Sequence, residues 1–169
     1  MSIKIAIVGP ESTGKSTLSK QLALYFKTAW VPEYARDYLN KLGRPYKQSD
    51  LLLIAQEQIA LEEKAAANHE MVFCDTNLLV IKIWSEFKYQ SCHPWILKSI
   101  KERKYDLHLL TYIDLPWQDD PQREHPHARE QLFNLYKNEL DKMKVSYETI
   151  KGENEERLLH AIAAVEKII

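Results

Sequence analysis

Gly9-Pro10-Glu11-Ser12-Thr13-Gly14-Lys15-Ser16 lies between a β-branched apolar run, Ile3 to Val8, and a segment whose apolar residues Leu18, Leu22 and Tyr25 recur at helical spacing. The octet matches the phosphate-loop pattern G-x-x-x-x-G-K-[ST] at every position, in the strand–loop–helix setting that its mechanism requires. Glycine lets the backbone curl until successive N–H groups face one anion, and the following helix adds the partial positive charge of its N-terminus. A glycine turn with a surface lysine is the plain alternative, and the flanking strand and helix argue against it. The pattern predicts ATP contacts at Gly9, Glu11, Ser12, Thr13, Gly14, Lys15, Ser16 and Thr17. Lys15 is expected to reach the β- and γ-phosphates and Ser16 to hold Mg2+. Glu11 points its charge either at the site or at solvent, and the sequence leaves both open.

Outward from this loop, short apolar runs alternate with longer segments of helical period. That is the signature of an α/β fold, a parallel sheet with helices on both faces. Five strands are expected: Ile3 to Val8, Ala29 to Val31 stopped by Pro32, Met71 to Cys74 ending at Asp75, Leu107 to Ile113, and Tyr147 to Ile150. Ser49 is a candidate cap for a helix from Asp50 to about Asn68. Further helices carry Leu78, Leu79, Ile81, Ile83 and Trp84, then a shorter one after Pro94, then Leu132, Leu135, Tyr136, Leu140 and Met143. The last, about Asn154 to Ile168, offers Leu158, Leu159, Ile162 and Val165 to the core. The whole chain, 1–169, reads as a single P-loop NTPase three-layer domain, with the polar, proline-punctuated segment 116–126 as a lid.

Net charge is −1, from 23 basic and 24 acidic residues, so no global positive field exists to hold nucleic acid or an anionic membrane. Cys74 and Cys92 have neither CxxC nor His-rich spacing and are expected to be free thiols. No apolar run approaches the roughly 18 residues of a membrane span, and the first residues do not resemble a signal peptide. A cytoplasmic protein is expected.

Phosphoryl transfer asks the protein mainly to position groups and neutralise charge. Carboxylates for that task belong at the carboxyl ends of strands beside the loop strand. Asp75 closes its strand as a Walker B aspartate does, and it can also cap the helix that follows. Glu33, in Pro32-Glu33-Tyr34-Ala35-Arg36, either accepts from a sugar hydroxyl or pairs with Arg36 on the surface. Asp114, followed by Leu115-Pro116, reads as a turn residue. From the lid and the helix after it, Arg123 and Arg129 either fold over the phosphates or stay in solvated ion pairs. His125 and His127 are a weak metal signal and are left unassigned.

Four segments together resemble the ribosylnicotinamide kinase domain of bacterial NadR-type regulators. They are the octet 9–16, Glu33-Tyr34-Ala35-Arg36, Asp75-Thr76, and Asp114-Leu115-Pro116-Trp117. The octet alone indicates an NTPase; the other three narrow it. The resemblance implies a nucleoside-kinase-like fold, ATP-dependent 5′-phosphorylation of nicotinamide riboside in NAD salvage, and an aromatic sandwich around the base. On the residues themselves, the catalytic candidates are Lys15, Asp75, Glu33, Arg123 and Arg129, with Mg2+ at Ser16 and Asp75. The acceptor falls to Trp30, Glu33, Tyr34, Arg36, Asp75 and Trp84. A pyridinium base draws aromatic faces through its charge, which suits Trp30, Tyr34 and Trp84, although core packing explains the same residues. Because the chain starts directly at the kinase strand, adenylyltransferase and DNA-binding activities are not expected. A kinase for another nucleoside, or a nucleotide-controlled binding module, are the alternatives.

Overall fold

The computed structural model describes all 169 residues and contains a five-stranded, wholly parallel sheet of order β2-β3-β1-β4-β5. The strands are β1 (Ile3–Val8), β2 (Ala29–Val31), β3 (Met71–Asp75), β4 (Leu107–Thr111) and β5 (Tyr147–Ile150), and the helices are α1 (Lys15–Tyr25), α2 (Tyr34–Leu42), α3 (Gln48–Ala66), α4 (Leu78–Tyr89), α5 (Pro94–Glu102), α6 (Arg129–Met143) and α7 (Asn154–Glu166). This is the three-layer α/β arrangement expected from the sequence. Strand alternation sorts the core into two faces. Ile5 and Ile7 of β1 meet Leu18 and Leu22 of α1 and Ile162 and Val165 of α7, while Ala6 and Val8 meet Leu79 and Ile83 of α4 and Leu132 and Leu140 of α6. Residues Ile5 to Val8 are 0% exposed. At about 1.5–3 kcal/mol for each large apolar side chain fully buried, these clusters form the core without a disulfide, and both cysteines are free. No helix is long and apolar enough to cross a membrane.

The observed elements depart from expectation in four places. Helix α2 is not among the expected elements, although Tyr34, Ala35, Tyr38, Leu39 and Leu42 recur at helical spacing; it is only nine residues long and mostly polar, and Gly43, at φ 66°, ends it. Helix α3 is not capped by Ser49. Lys47 is its N-cap, and the Asp50 carboxylate accepts the Lys47 N–H at 2.7 Å, the returning half of a capping box. Asp50 also takes both guanidinium nitrogens of Arg44, at 2.8 and 2.9 Å, which hold its carboxyl well below the usual carboxylate range. Tyr25, Leu135 and Leu159 sit on the rims of their helical stripes and are exposed, and Leu158 rather than Leu159 packs on the α1–α7 side. Strand β4 ends at Thr111, two residues early, where the Thr111 hydroxyl turns to the Val8 carbonyl at 3.1 Å.

Candidate active site

The phosphate loop leaves the sheet at its centre, since β1 has β3 on one side and β4 on the other. Gly9 adopts φ +144°, and a Cβ there would stand 2.4 Å from Thr111 Oγ1 and 2.9 Å from the Thr111 carbonyl, so only glycine lets the loop graze β4. Beneath the loop, the buried Thr13 hydroxyl lies 2.8 Å from the Pro10 carbonyl and 2.7 Å from Thr111 Oγ1. Lys15 donates its ammonium to the Gly9 and Pro10 carbonyls at 3.0 and 2.7 Å. Ser16 Oγ donates to Asp75 Oδ2 at 2.5 Å, while Asp75 Oδ1 is buried with no partner. A serine hydroxyl beside an unsatisfied carboxylate oxygen is a hard-oxygen pair that would suit Mg2+.

A cavity of about 550 Å³ opens over this loop. Glu33 and Arg36 enter from the start of α2, Trp84 and Phe87 from α4, Arg123 from the lid, and Tyr136 from α6. Its charges are strongly coupled. Burial pushes the Lys15 ammonium down, against the pull of Glu33, Asp75 and Glu11. Burial pushes the Glu33 carboxyl up, and repulsion from Asp75 adds to it while Lys15 opposes. Asp75 is raised by burial too, with the Ser16 hydrogen bond pulling the other way. Three carboxylates thus bear on one half-buried ammonium, with Arg123 opposing them.

The segment 112–128 has no helix or strand, and it is tied down from three sides. The Glu11 carboxylate accepts the backbone N–H of His125 at 2.9 Å and of Glu124 at 3.1 Å, and Ser12 Oγ accepts the Gln118 N–H at 2.9 Å. Glu11 therefore faces the lid, which answers the choice that the sequence left open. From α2, Arg36 pairs with Asp120 at 2.8 Å, and Gln122 donates to Asn40 at 2.7 Å. From α4, Lys88 pairs with Glu124 at 2.9 Å. Arg123 lines the cavity and donates to the Gln118 carbonyl.

The expected site residues separate into two groups. Gly9 to Thr17, Glu33, Arg36, Trp84 and Arg123 line the cavity, with Asp75 directly behind Ser16. Arg129, Trp30 and Tyr34 do not. Arg129 is committed to the carbonyls of Ser12 (3.2 Å) and Leu115 (2.8 Å), bracing the loop against the lid's base. Trp30 packs against the α1–α7 cluster with the Lys20 ammonium 4.4 Å above its ring, because β2 presents it to that face of the sheet. Tyr34 packs outward with Ala35, Leu51 and Ile54, and its backbone N–H donates to Gln58 Oε1 at 2.9 Å. Trp84 instead donates its indole N–H to Tyr46 Oη at 2.9 Å, ring edge to ring face.

Sequence reasoning missed Arg157. It is 4% exposed, on α7, and it donates to the Thr13 carbonyl at 2.7 Å, the Tyr112 carbonyl at 3.0 Å and Asp114 at 2.7 Å, binding the loop to the end of β4. A signal was present: Arg157 falls one turn before Ala161 and two before Val165, on the buried stripe of its helix, where an arginine requires partners. Asp114, expected as a turn residue, is one of them and also accepts the Gly152 N–H at 2.7 Å.

A strand, a glycine loop closing on a helix N-terminus, a half-buried lysine and a serine–aspartate pair define a P-loop nucleotide-binding protein. Residues 4–157 match the family described as an AAA domain, and the chain belongs to that family. Among curated proteins it is similar to the trifunctional NAD biosynthesis/regulator protein NadR of Escherichia coli (strain K12), 27% identical over 175 residues, 98% of this chain and 42% of the relative. The chain spans less than half the length of the curated relatives it matches. Among solved structures, a NadR protein in complex with NR superposes with a TM-score of 0.86 at 22% identity, over 99% of this chain and 51% of that one. A NadR protein in complex with NAD and AMP-PNP gives 0.81 at 20% identity, over 99% and 49%. At those identities the likeness establishes the fold.

Proposed function

We propose that the chain is an ATP- and Mg2+-dependent small-molecule kinase that phosphorylates nicotinamide riboside on its 5′-hydroxyl, in NAD salvage in the cytoplasm. The observation that carries this reading is that one cavity holds both a complete phosphate loop and, opposite it, a floor of Glu33, Arg36, Trp84 and Tyr136. A switch protein has no need of a second polar and aromatic wall at its phosphates, whereas a kinase needs a place for the acceptor. The resemblance to NadR proteins, one of them solved with NR and one with AMP-PNP, supports the choice of acceptor and donor.

In this reading Lys15 neutralises charge on the β- and γ-phosphates, and Ser16 with Asp75 holds the metal, which supplies further charge neutralisation when bound. Glu33 accepts the proton of the attacking hydroxyl. Its carboxyl is raised by burial, which brings it towards the range where a base works at neutral pH. Arg123 meets the transferring group's equatorial oxygens from the lid, and the Trp84 ring stacks on the cationic base. Trp30 and Tyr34 have no part in it. The test is to incubate the pure protein with ATP, Mg2+ and single nucleosides. ADP formation that requires nicotinamide riboside, with neutral nucleosides such as uridine poorer, is the expected result. Turnover that ignores every acceptor defeats the kinase reading, and equal use of neutral nucleosides defeats the choice of acceptor alone.

A further inference from the structure

A second cavity, of about 520 Å³, lies between the start of α4, the ends of α5 and α6, and the first residues of β4 and β5. It shares no lining residue with the phosphate cavity. At its back is the imidazole of His108, 1% exposed. Asn77 settles the state of that ring. Its Oδ1 accepts the Leu79 N–H at 3.0 Å as the cap of α4, so its amide nitrogen is what faces His108 Nε2, at 3.4 Å. An amide nitrogen only donates; Nε2 therefore accepts, and the ring proton sits on Nδ1. His108 Nδ1 is buried and meets no protein acceptor in good hydrogen-bond geometry, the nearby Ser146 backbone only opposing the effect of burial on the ring, which leaves an N–H donor open to a further acceptor. Burial pushes the imidazole down to about 4, so it stays neutral at physiological pH.

The walls are apolar, with Leu78, Leu79, Ile100, Met143 and Val145. Charge enters only at the mouth. There Arg103 pairs with Glu63 and Glu62 but keeps an unpartnered Nε, Asp106 accepts the Lys4 N–H and is the one carboxylate at the rim, and Lys101 and Lys104 are exposed and make no ion pair. A neutral donor inside, a greasy wall and free ammoniums at the rim together describe one ligand chemistry.

We propose that this cavity is a second ligand site, which takes a small organic anion with an apolar body, its acceptor oxygen reaching His108 Nδ1–H and its charge facing Lys101 and Lys104. The site borders Asn77, two residues beyond Asp75, so its occupant touches the segment that positions the Ser16–Asp75 pair.

The test uses the full chain labelled with 15N-histidine, and benzoate as the probe, with benzyl alcohol as its uncharged counterpart. Long-range proton–nitrogen spectra are expected to show the His108 proton on Nδ1. Benzoate should then shift that nitrogen saturably, with a Kd of about 1 mM or tighter. Replacing both rim lysines (Lys101→Ala with Lys104→Ala) should weaken benzoate about tenfold, and His108→Phe should abolish binding. Should the phenylalanine variant fold poorly, the exposed lysine pair still decides the matter. A proton on Nε2, His108 signals that do not move, shifts confined to His125 of the phosphate cavity, or equal binding of benzyl alcohol would each overturn the proposal.

Discussion

Lys15 is the residue on which the phosphate site turns, and its bonds are local: both its acceptors are carbonyls of its own loop. Lys15→Ala is therefore expected to leave the melting curve in place while lowering kcat by about 100-fold or more, the loss typical of a removed transition-state donor. Parental ATP turnover in that variant would refute the site. Glu33 and Asp75 bear the same charge but stand differently. Asp75 is wholly buried and bonded to Ser16, whereas Glu33 faces the cavity. Asp75→Asn should raise the Mg2+ concentration needed for half-maximal rate, whereas Glu33→Gln should raise KM for the acceptor and lower kcat without changing the Mg2+ requirement; separate titrations distinguish them, and the opposite pattern exchanges the roles. Glu33 also predicts a pH dependence. Its carboxyl is raised in the folded state, so the acid limb of kcat/KM should fall above the ordinary 4.5, and Glu33→Gln should remove that limb. Because the raised group favours folding when protonated, its stabilising effect is complete below the unfolded pKa and is lost as pH rises through the folded one. At pH 7 the ionised form is a burden, and Glu33→Gln should melt higher than the parent as it loses activity.

At the scale of elements, two glycines separate close approach from backbone shape. Gly43 ends α2 in a left-handed conformation with nothing within 4 Å of the place a Cβ would take, whereas a Cβ on Gly9 collides with Thr111. Gly43→Ala should cost about 1 kcal/mol, the conformational penalty alone. Gly9→Ala should cost about 3 kcal/mol or more, because β1 and β4 must part to admit it, and urea unfolding of the two variants at neutral pH measures the difference. The contrast also explains what the sequence could reveal. The octet, the β-branched strands and the long helices were legible because each is written in contiguous residues. Helix α2 was not, although Tyr34, Ala35, Tyr38, Leu39 and Leu42 mark one face of it, because at nine mostly polar residues directly after β2 it is short enough to pass for a loop. In sequence the core-packing account is stronger for Trp84, among Ile81, Ile83 and Phe87, than for Trp30, yet strand parity turns Trp30 away from the cavity and a helical turn points Trp84 in. Arg157 escaped because its partners lie up to 144 positions away, a distance no local pattern spans.

For the molecule as a whole, the lid is the segment on which separate parts converge. Glu11 and Ser12 hold it from the phosphate loop, Arg36 and Asn40 from α2, and Lys88 from α4. Arg123 comes over the cavity from the lid, whereas Arg129 stiffens the loop's own backbone. Arg123→Ala should thus lower kcat with little change in ATP affinity, while Arg129→Ala should chiefly raise the Kd for ATP; equilibrium binding of a non-hydrolysable nucleotide beside steady-state kinetics separates the two. Loss of affinity in both would place Arg123 among the binding groups. The strand order has a consequence for biosynthesis. Within the domain the phosphate loop is translated before β3, β4 and α7, but its strand occupies the centre of the sheet and needs β3 and β4 on either side, and its Thr13 carbonyl needs Arg157 of α7. Nucleotide in the cell therefore cannot chaperone the nascent chain, and the domain must complete its synthesis before ATP can lend it any added stability.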